Sequence, residues 1–190
     1  MQPADAAAAA EDGALARLIA ERVRDIADYP QPGVMFKDIT PLLADGAALS
    51  AVVRGLAAGN RPSGEAGGID KVAGIEARGF ILAASVAIAL GAGFVPVRKQ
   101  GKLPGPTYAQ SYDLEYGSAT IEVHQDAFAP GERVLIVDDV LATGGTAAAT
   151  IELVRKSGAE VAGLAVILEL SFLDGRARLP GSLIRSLLVV

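Results

Sequence analysis

Val134 to Thr146 reads VLIVDDVLATGGT, and this string decides the fold. Val134-Leu135-Ile136-Val137 is an unbroken aliphatic run, the pattern of a strand buried on both faces. Asp138 and Asp139 follow at its carboxyl end, the edge where open α/β sheets bind ligands. Ala142-Thr143-Gly144-Gly145-Thr146 comes next, directly before a helical pattern. Glycines let backbone N–H groups approach an anion, Thr143 and Thr146 offer hydroxyl donors, and a helix start adds exposed N–H groups. The plainer reading is a Gly turn with Asp residues capping the helix, but a cap needs one acid at the helix start rather than two several residues earlier. A Walker loop is ruled out because no Lys follows the glycines, and no G-x-G-x-x-G stands at a strand–helix junction. Two hydroxyl-accepting carboxylates beside a phosphate-binding loop suit a ribose 5-phosphate, which presents both kinds of group.

Working outward, a helix is expected from about Thr146 to Ser157, closed by Gly158, and then a strand from Val161 to Leu168. Upstream lies a second strand–helix–strand unit: Lys71 to Ile75, Gly79 to Leu90 ended by Gly91, and Phe94 to Val97. Apolar strands separated by helices imply an α/β fold with a mostly parallel central sheet covered by helices on both faces. Between the units runs a polar, Gly- and Pro-containing segment, RKQGKLPGPTYAQSYDLEYG, which reads as a flexible lid; Ala119 to Val123 alternates like an added strand. Near the start, Leu15, Leu18, Ile19, Val23 and Ile26 predict a helix from about Ala14 to Asp28, stopped by Pro30 and Pro32. Residues 1–12 read as a disordered Ala-rich extension, and 13–190 as a single domain.

Composition narrows the function classes. Cysteine is absent and His124 is the lone histidine, so disulfides, thiolate metal sites and a His-rich metal cage are excluded. A net charge of −5 argues against broad nucleic-acid affinity. Gly79 to Val97 carries no charge, but Gly91, Gly93 and Pro96 break it, which fits a buried helix and strand better than a membrane span. The N-terminus lacks a basic region like that of a secretory signal, so a soluble, cytoplasmic protein is expected.

VLIVDDVLATGGT resembles the diphosphoribosyl-binding signature of the type I phosphoribosyltransferases. PGVMFKDITPLL, GIEARGF, RKQGKLPG and SYDLEYG, in that order, are similar to the adenine-using branch of that family, and together the segments cover most of Tyr29 to Glu169. The resemblance implies the family's fold, with a small N-terminal hood and a flexible lid. It implies transfer of ribose 5-phosphate from phosphoribosyl diphosphate to adenine, with Mg²⁺ as cofactor, held mainly through the substrate and not by a dedicated protein cluster. It also implies a homodimer with the lid near the subunit boundary.

Carried over by resemblance, Asp138 and Asp139 bind the ribose hydroxyls, and Ala142, Thr143, Gly144, Gly145 and Thr146 the 5′-phosphate. Arg78, in the loop after a short strand, binds diphosphate, where a guanidinium suits a multiply charged leaving group. Lys99 and Lys102 belong to the lid that covers it and keeps water out. Glu115 is the candidate acid/base for the purine proton, with Tyr116 beside it at the base. Phe36 stacks on one face of adenine and Val140 packs on the other, while backbone groups of Met35 and Lys37 read the purine edge. Lys37 stands where relatives often carry Arg, and Gln100 where some carry a charge or Pro. Two other readings stay open: the same chemistry on hypoxanthine, guanine, xanthine or orotate, and a ligand-sensing regulator without turnover. The regulator is disfavoured because no basic helix is present to bind DNA.

Overall fold

The computed structural model describes residues 3–113 and 118–190, and the chain divides into a first unit ending at Gly55 and a second from Leu56 to Val190. The first unit holds helix α1 (Pro3–Ala20), strands β1 (Arg24–Ile26) and β2 (Phe36–Asp38), α2 (Thr40–Ala44) and most of α3 (Gly46–Ala57). Two expectations change here. The Ala-rich stretch expected to be disordered is helical from Pro3, as the high helix propensity of alanine allows. The helix also ends at Ala20 instead of continuing to Asp28, because Arg24–Ile26 is drawn into an antiparallel pair with Phe36–Asp38. Across that pair Arg24 bonds Asp38 at 2.6 Å and Lys37 bonds Asp25 at 2.7 Å, opposite charges facing each other as cross-strand pairs favour. Asp45 accepts the amides of Ala47 and Ala48 at the start of α3, the usual way an acid satisfies open N–H groups there.

The second unit is an α/β sheet. Its strands are β3 (Lys71–Ile75), β4 (Gly93–Lys99), β5 (Thr107–Asp113), β6 (Ser118–His124), β7 (Arg133–Leu141), β8 (Glu160–Glu169) and β9 (Ile184–Val189), with helices α4 (Arg78–Leu90) and α5 (Gly145–Lys156). The order across the sheet is β5-β6-β4-β3-β7-β8-β9. Strands β4, β3, β7, β8 and β9 run parallel, and the β5–β6 hairpin is added antiparallel through β6 beside β4. Its core is aliphatic: Ala73, Ile75, Val97, Val134, Ile136, Leu153, Val154, Leu164 and Val166 are buried together. Chain succession steps from β3 to β4 in one direction and from β7 to β8 and β9 in the other. The reversal falls between β3 and β7, and ligands bind outside the carboxyl ends at such a switch point.

Strand β7 is longer than its aliphatic run. It continues through the acids to Leu141, so Asp138 and Asp139 lie inside a strand and not beyond its end. The reason is its second neighbour. β3 pairs with β7 only as far as Gly74↔Val137, whereas β8 continues alongside through Asp138↔Val166, Val140↔Leu168 and Leu141↔Glu169. Among the described residues no helix is long and apolar enough to cross a membrane.

Candidate active site

At the switch point β3 delivers Glu76, Ala77 and Arg78 into the start of α4, and β7 delivers the acid pair and the loop before α5. The peptide between Glu76 and Ala77 is cis. Arg78 reaches across the strand ends, its Nη2 2.7 Å from Oδ2 of Asp139. That oxygen is buried and receives no aligned hydrogen bond, so the contact is charge against charge. Asp138 is half-buried, its Oδ1 accepting the amide of Asp139 at 2.9 Å. Its carboxyl is pushed well above the ordinary carboxylate range, first by removal from water and then by the neighbouring Asp139. Gly79 makes this crowding possible, since a Cβ there would stand 2.9 Å from Oδ1 of Asp138.

The loop that follows lines a small cleft of about 70 Å³ with Asp138, Val140, Thr143, Gly144 and Thr146 on its walls. Gly144 stands just before α5, at φ +80°, and no side chain caps the helix start. The Asp-capping alternative is thereby removed: the first N–H groups of α5 have no carboxylate over them, and the positive end of the helix faces the cleft. A larger hollow of about 390 Å³ runs along α5 beside Tyr112 and Arg178. It meets the loop only at Gly145 and has no Asp on its walls, whereas Asp138 and all of Ala142 to Thr146 line the smaller cleft, so chemistry and not size selects that one.

Lys99 and Lys102 flank a turn that follows β4. Lys99 ends β4, and the next residues form a turn held by two carboxylates. Glu76 accepts the Lys99 amide at 3.0 Å and Arg98 Nε at 3.2 Å. Glu122 on β6, only 4% exposed, accepts the amides of Gly101 at 3.0 Å and Leu103 at 3.2 Å and the Thr107 hydroxyl at 3.3 Å. Arg98 closes the turn by donating to the Lys102 carbonyl at 2.9 Å. Glycine and proline in the segment signal mobility, and these part-buried and exposed bonds hold the turn in the arrangement seen here. Sequence reading missed both acids, and a Glu between Ile121 and Val123 in an apolar strand was the available clue to one of them.

The residues expected at the base are divided between the units. Met35, Phe36 and Lys37 belong to the first, where the Phe36 ring meets Tyr29 edge-on at 5.0 Å, and Val140 belongs to β7 in the second. Lys37 is bound to Asp25, which gives its side chain a structural place in the β1–β2 pair. Glu115 and Tyr116 lie outside the described residues. No group of three or more His, Asp or Glu gathers as a metal cage among the described residues.

Comparisons with known proteins show the family. The phosphoribosyl transferase domain model matches residues 42–179. The chain is 66% identical to the adenine phosphoribosyltransferase of Streptomyces galbus over 162 residues, 85% of this chain and 87% of that one. Among solved structures, it is similar to the adenine phosphoribosyltransferase of Rhodothermus marinus, with a TM-score of 0.88, 49% identity and coverage of 94% and 99% of the two chains. It is also similar to the Saccharomyces cerevisiae enzyme complexed with an imino-altritol bisphosphate and adenine, with a TM-score of 0.84, 35% identity and coverage of 92% and 99%.

Proposed function

The chain belongs to the adenine phosphoribosyltransferase family, and from that premise we propose how its residues transfer ribose 5-phosphate from phosphoribosyl diphosphate to adenine, giving AMP and diphosphate. The observation that carries the reading is the switch-point cleft, lined by Asp138, by Ala142 to Thr146 and by an uncapped helix start, with Asp139 next along β7 paired to Arg78.

The 5′-phosphate sits on the amides and hydroxyls of Ala142 to Thr146, where several N–H donors share its charge. Asp138 and Asp139 accept the ribose hydroxyls. Arg78 changes partner: in the free protein it lies against Asp139, and an arriving diphosphate draws the guanidinium away and frees Oδ2 for the sugar. Lys99 and Lys102 add positive charge to the leaving group from a turn already in place. For adenine, the first unit offers the Phe36 ring for stacking and the backbone of Met35 and Lys37 for the purine edge, and the second unit offers the apolar side chain of Val140. In the transfer the bond from the anomeric carbon to diphosphate breaks and a bond to the purine nitrogen forms. The proton leaving the imidazole ring passes to the Glu115 carboxylate.

Magnesium fits this donor set as a substrate-borne ion. Among the described residues no third acid joins the two adjacent carboxylates, too few ligands for a protein cage, whereas diphosphate and ribose bring hard oxygens of their own. When bound, it neutralises the charge that collects on departing diphosphate. The uncharged outer face of α4, with Ile81 48% and Ile88 83% exposed, supports a homodimer, since faces shared between copies of one chain are more apolar than ordinary surface. Phosphoribosyl diphosphate is too highly charged to cross a membrane unaided, which supports a cytoplasmic location.

The deciding experiment supplies purified protein with phosphoribosyl diphosphate and adenine, hypoxanthine, guanine, xanthine or orotate in separate reactions, and measures diphosphate release. Turnover with adenine is expected; release with another base and none with adenine would overturn the assignment. Asp139→Asn is expected to raise the KM for phosphoribosyl diphosphate about tenfold, the scale of one lost charged contact, and an unchanged KM would remove the ribose role.

A further inference from the structure

The cleft is braced from behind by a turn far along the chain. A Cβ on Gly144 would overlap the carbonyl oxygen of Gly175, and one on Gly175 would overlap the carbonyl oxygen of Ala142 and lie 3.0 Å from the Gly144 nitrogen. The two backbones are therefore in direct contact, and neither position admits a side chain. Gly175 opens a short 3-10 turn, Gly175–Arg178, preceded by Asp174 at φ +51°. This turn is tied down by one acid. Arg176 donates its Nε to Oε1 of Glu169 at 2.8 Å and its Nη2 to Oε2 at 2.6 Å, and the Ser186 hydroxyl also donates to Oε2. Glu169 is 7% exposed and its carboxyl is held below its usual range, chiefly by the bonds from Arg176.

The placement gives this cluster its meaning. Glu169 ends β8 in register with Leu141, the last residue of β7 before the loop. The clamp thus starts opposite the point where the loop leaves the sheet, and it returns through Arg176 and Gly175 against the loop's far side. A flexible Gly-rich segment is gripped at its root and at its back.

We propose that Gly175, held in place by Glu169, Arg176 and Ser186, is a positioning residue for the 5′-phosphate seat. It touches no substrate; it sets where the carbonyl of Ala142 and the amide of Gly144 stand, and so whether the loop's donors converge on one phosphate. The proposal rests on the reading of Ala142 to Thr146 as that seat.

The test is steady-state kinetics of the full-length protein with both substrates varied. Gly175→Ala is expected to raise the KM for phosphoribosyl diphosphate about tenfold, leaving kcat and the KM for adenine within about twofold, because only uniform binding of one substrate is lost. Arg176→Ala should shift the same constant in the same direction. Arg176→Lys, which keeps the charge but not the two-pronged geometry, should fall between. Equal rises in both KM values, a loss confined to kcat, or no change in folded variants would overturn the proposal. Should Gly175→Ala fail to fold, the two Arg176 variants decide the matter. Thr146→Ala separates the two layers of the argument. If it leaves the phosphoribosyl diphosphate KM unchanged, the loop is not the seat and the brace falls with it. If it raises that KM while the Gly175 and Arg176 variants do not, the seat stands and the brace alone is wrong.

Discussion

Asp138 is crowded by Gly79, bonded to the Asp139 amide and set beside a second carboxylate, an arrangement costly to the empty protein. With its carboxyl raised above the ordinary range by burial and Asp139, the folded chain holds this proton more tightly than the unfolded chain does. The stabilisation from that proton is full below the ordinary carboxylate pKa and is lost as pH rises through the raised value. At neutral pH the group therefore works against folding. Asp138→Asn keeps an oxygen to accept the Asp139 amide and removes the charge. It should raise the Tm of the unliganded protein near pH 7 by about 2–4 °C, the usual return from one relieved site. The gain should vanish below about pH 4, where the wild-type carboxyl is protonated in both states. Thermal scans at both pH values check this, and a gain that ignores pH would mean that charge is not the cause. At this scale the sequence was most informative for neighbours in the chain. Asp138, Asp139 and the loop stand in one string whose chemistry can be read directly. Glu169, Arg176 and Ser186 form an equally definite cluster, but it is assembled from a strand, a turn and another strand, and no spacing rule announces it.

At the scale of elements, the turn after β4 shows what composition can conceal. Lysines, glycine and proline mark Lys99 to Gly105 as exposed and mobile, and composition gives no sign that Glu122 accepts bonds from Gly101, Leu103 and Thr107. Glu122→Ala leaves those donors without their acceptor and should cost about 1–3 kcal/mol in urea unfolding. It should also speed tryptic cleavage after Lys102 in the native protein, since local opening controls proteolysis. Glu122→Gln, which retains an acceptor oxygen, should recover part of both effects. Cleavage as slow in Glu122→Ala as in the wild type would show that the turn is held by something else. Helix α4, strand β8 and helix α5 were legible because aliphatic periodicity sets them. The early helix was overextended: Val23 and Ile26 fit a helical stripe equally well, and only pairing with β2 makes their segment extended.

For the whole molecule, the two strand–helix–strand units could be read from the sequence, but the sheet order could not. The reversal between β3 and β7, the hairpin added beside β4 and the final strand β9 depend on contacts between distant segments. The same holds for what lies outside the sheet. Ile81, Ser85 and Ile88 share one face of α4 by helical spacing, and sequence alone could assign that apolar face to the core. Its exposure instead supports the proposed dimer. Ile88→Asp should shift sedimentation from dimer to monomer while changing unfolding free energy by less than about 0.5 kcal/mol, because the residue is exposed in the single chain. A dimer that survives the substitution would move the interface elsewhere.

The overhang of β7 past the end of β3 has one more consequence. Up to Val137 the strand has a neighbour on each side, and from Asp138 onward β8 alone accompanies it. The sheet is in this sense one partner short where its acids lie. On the proposed reading the phosphoribosyl group docks at this edge, which the fold leaves open on one side.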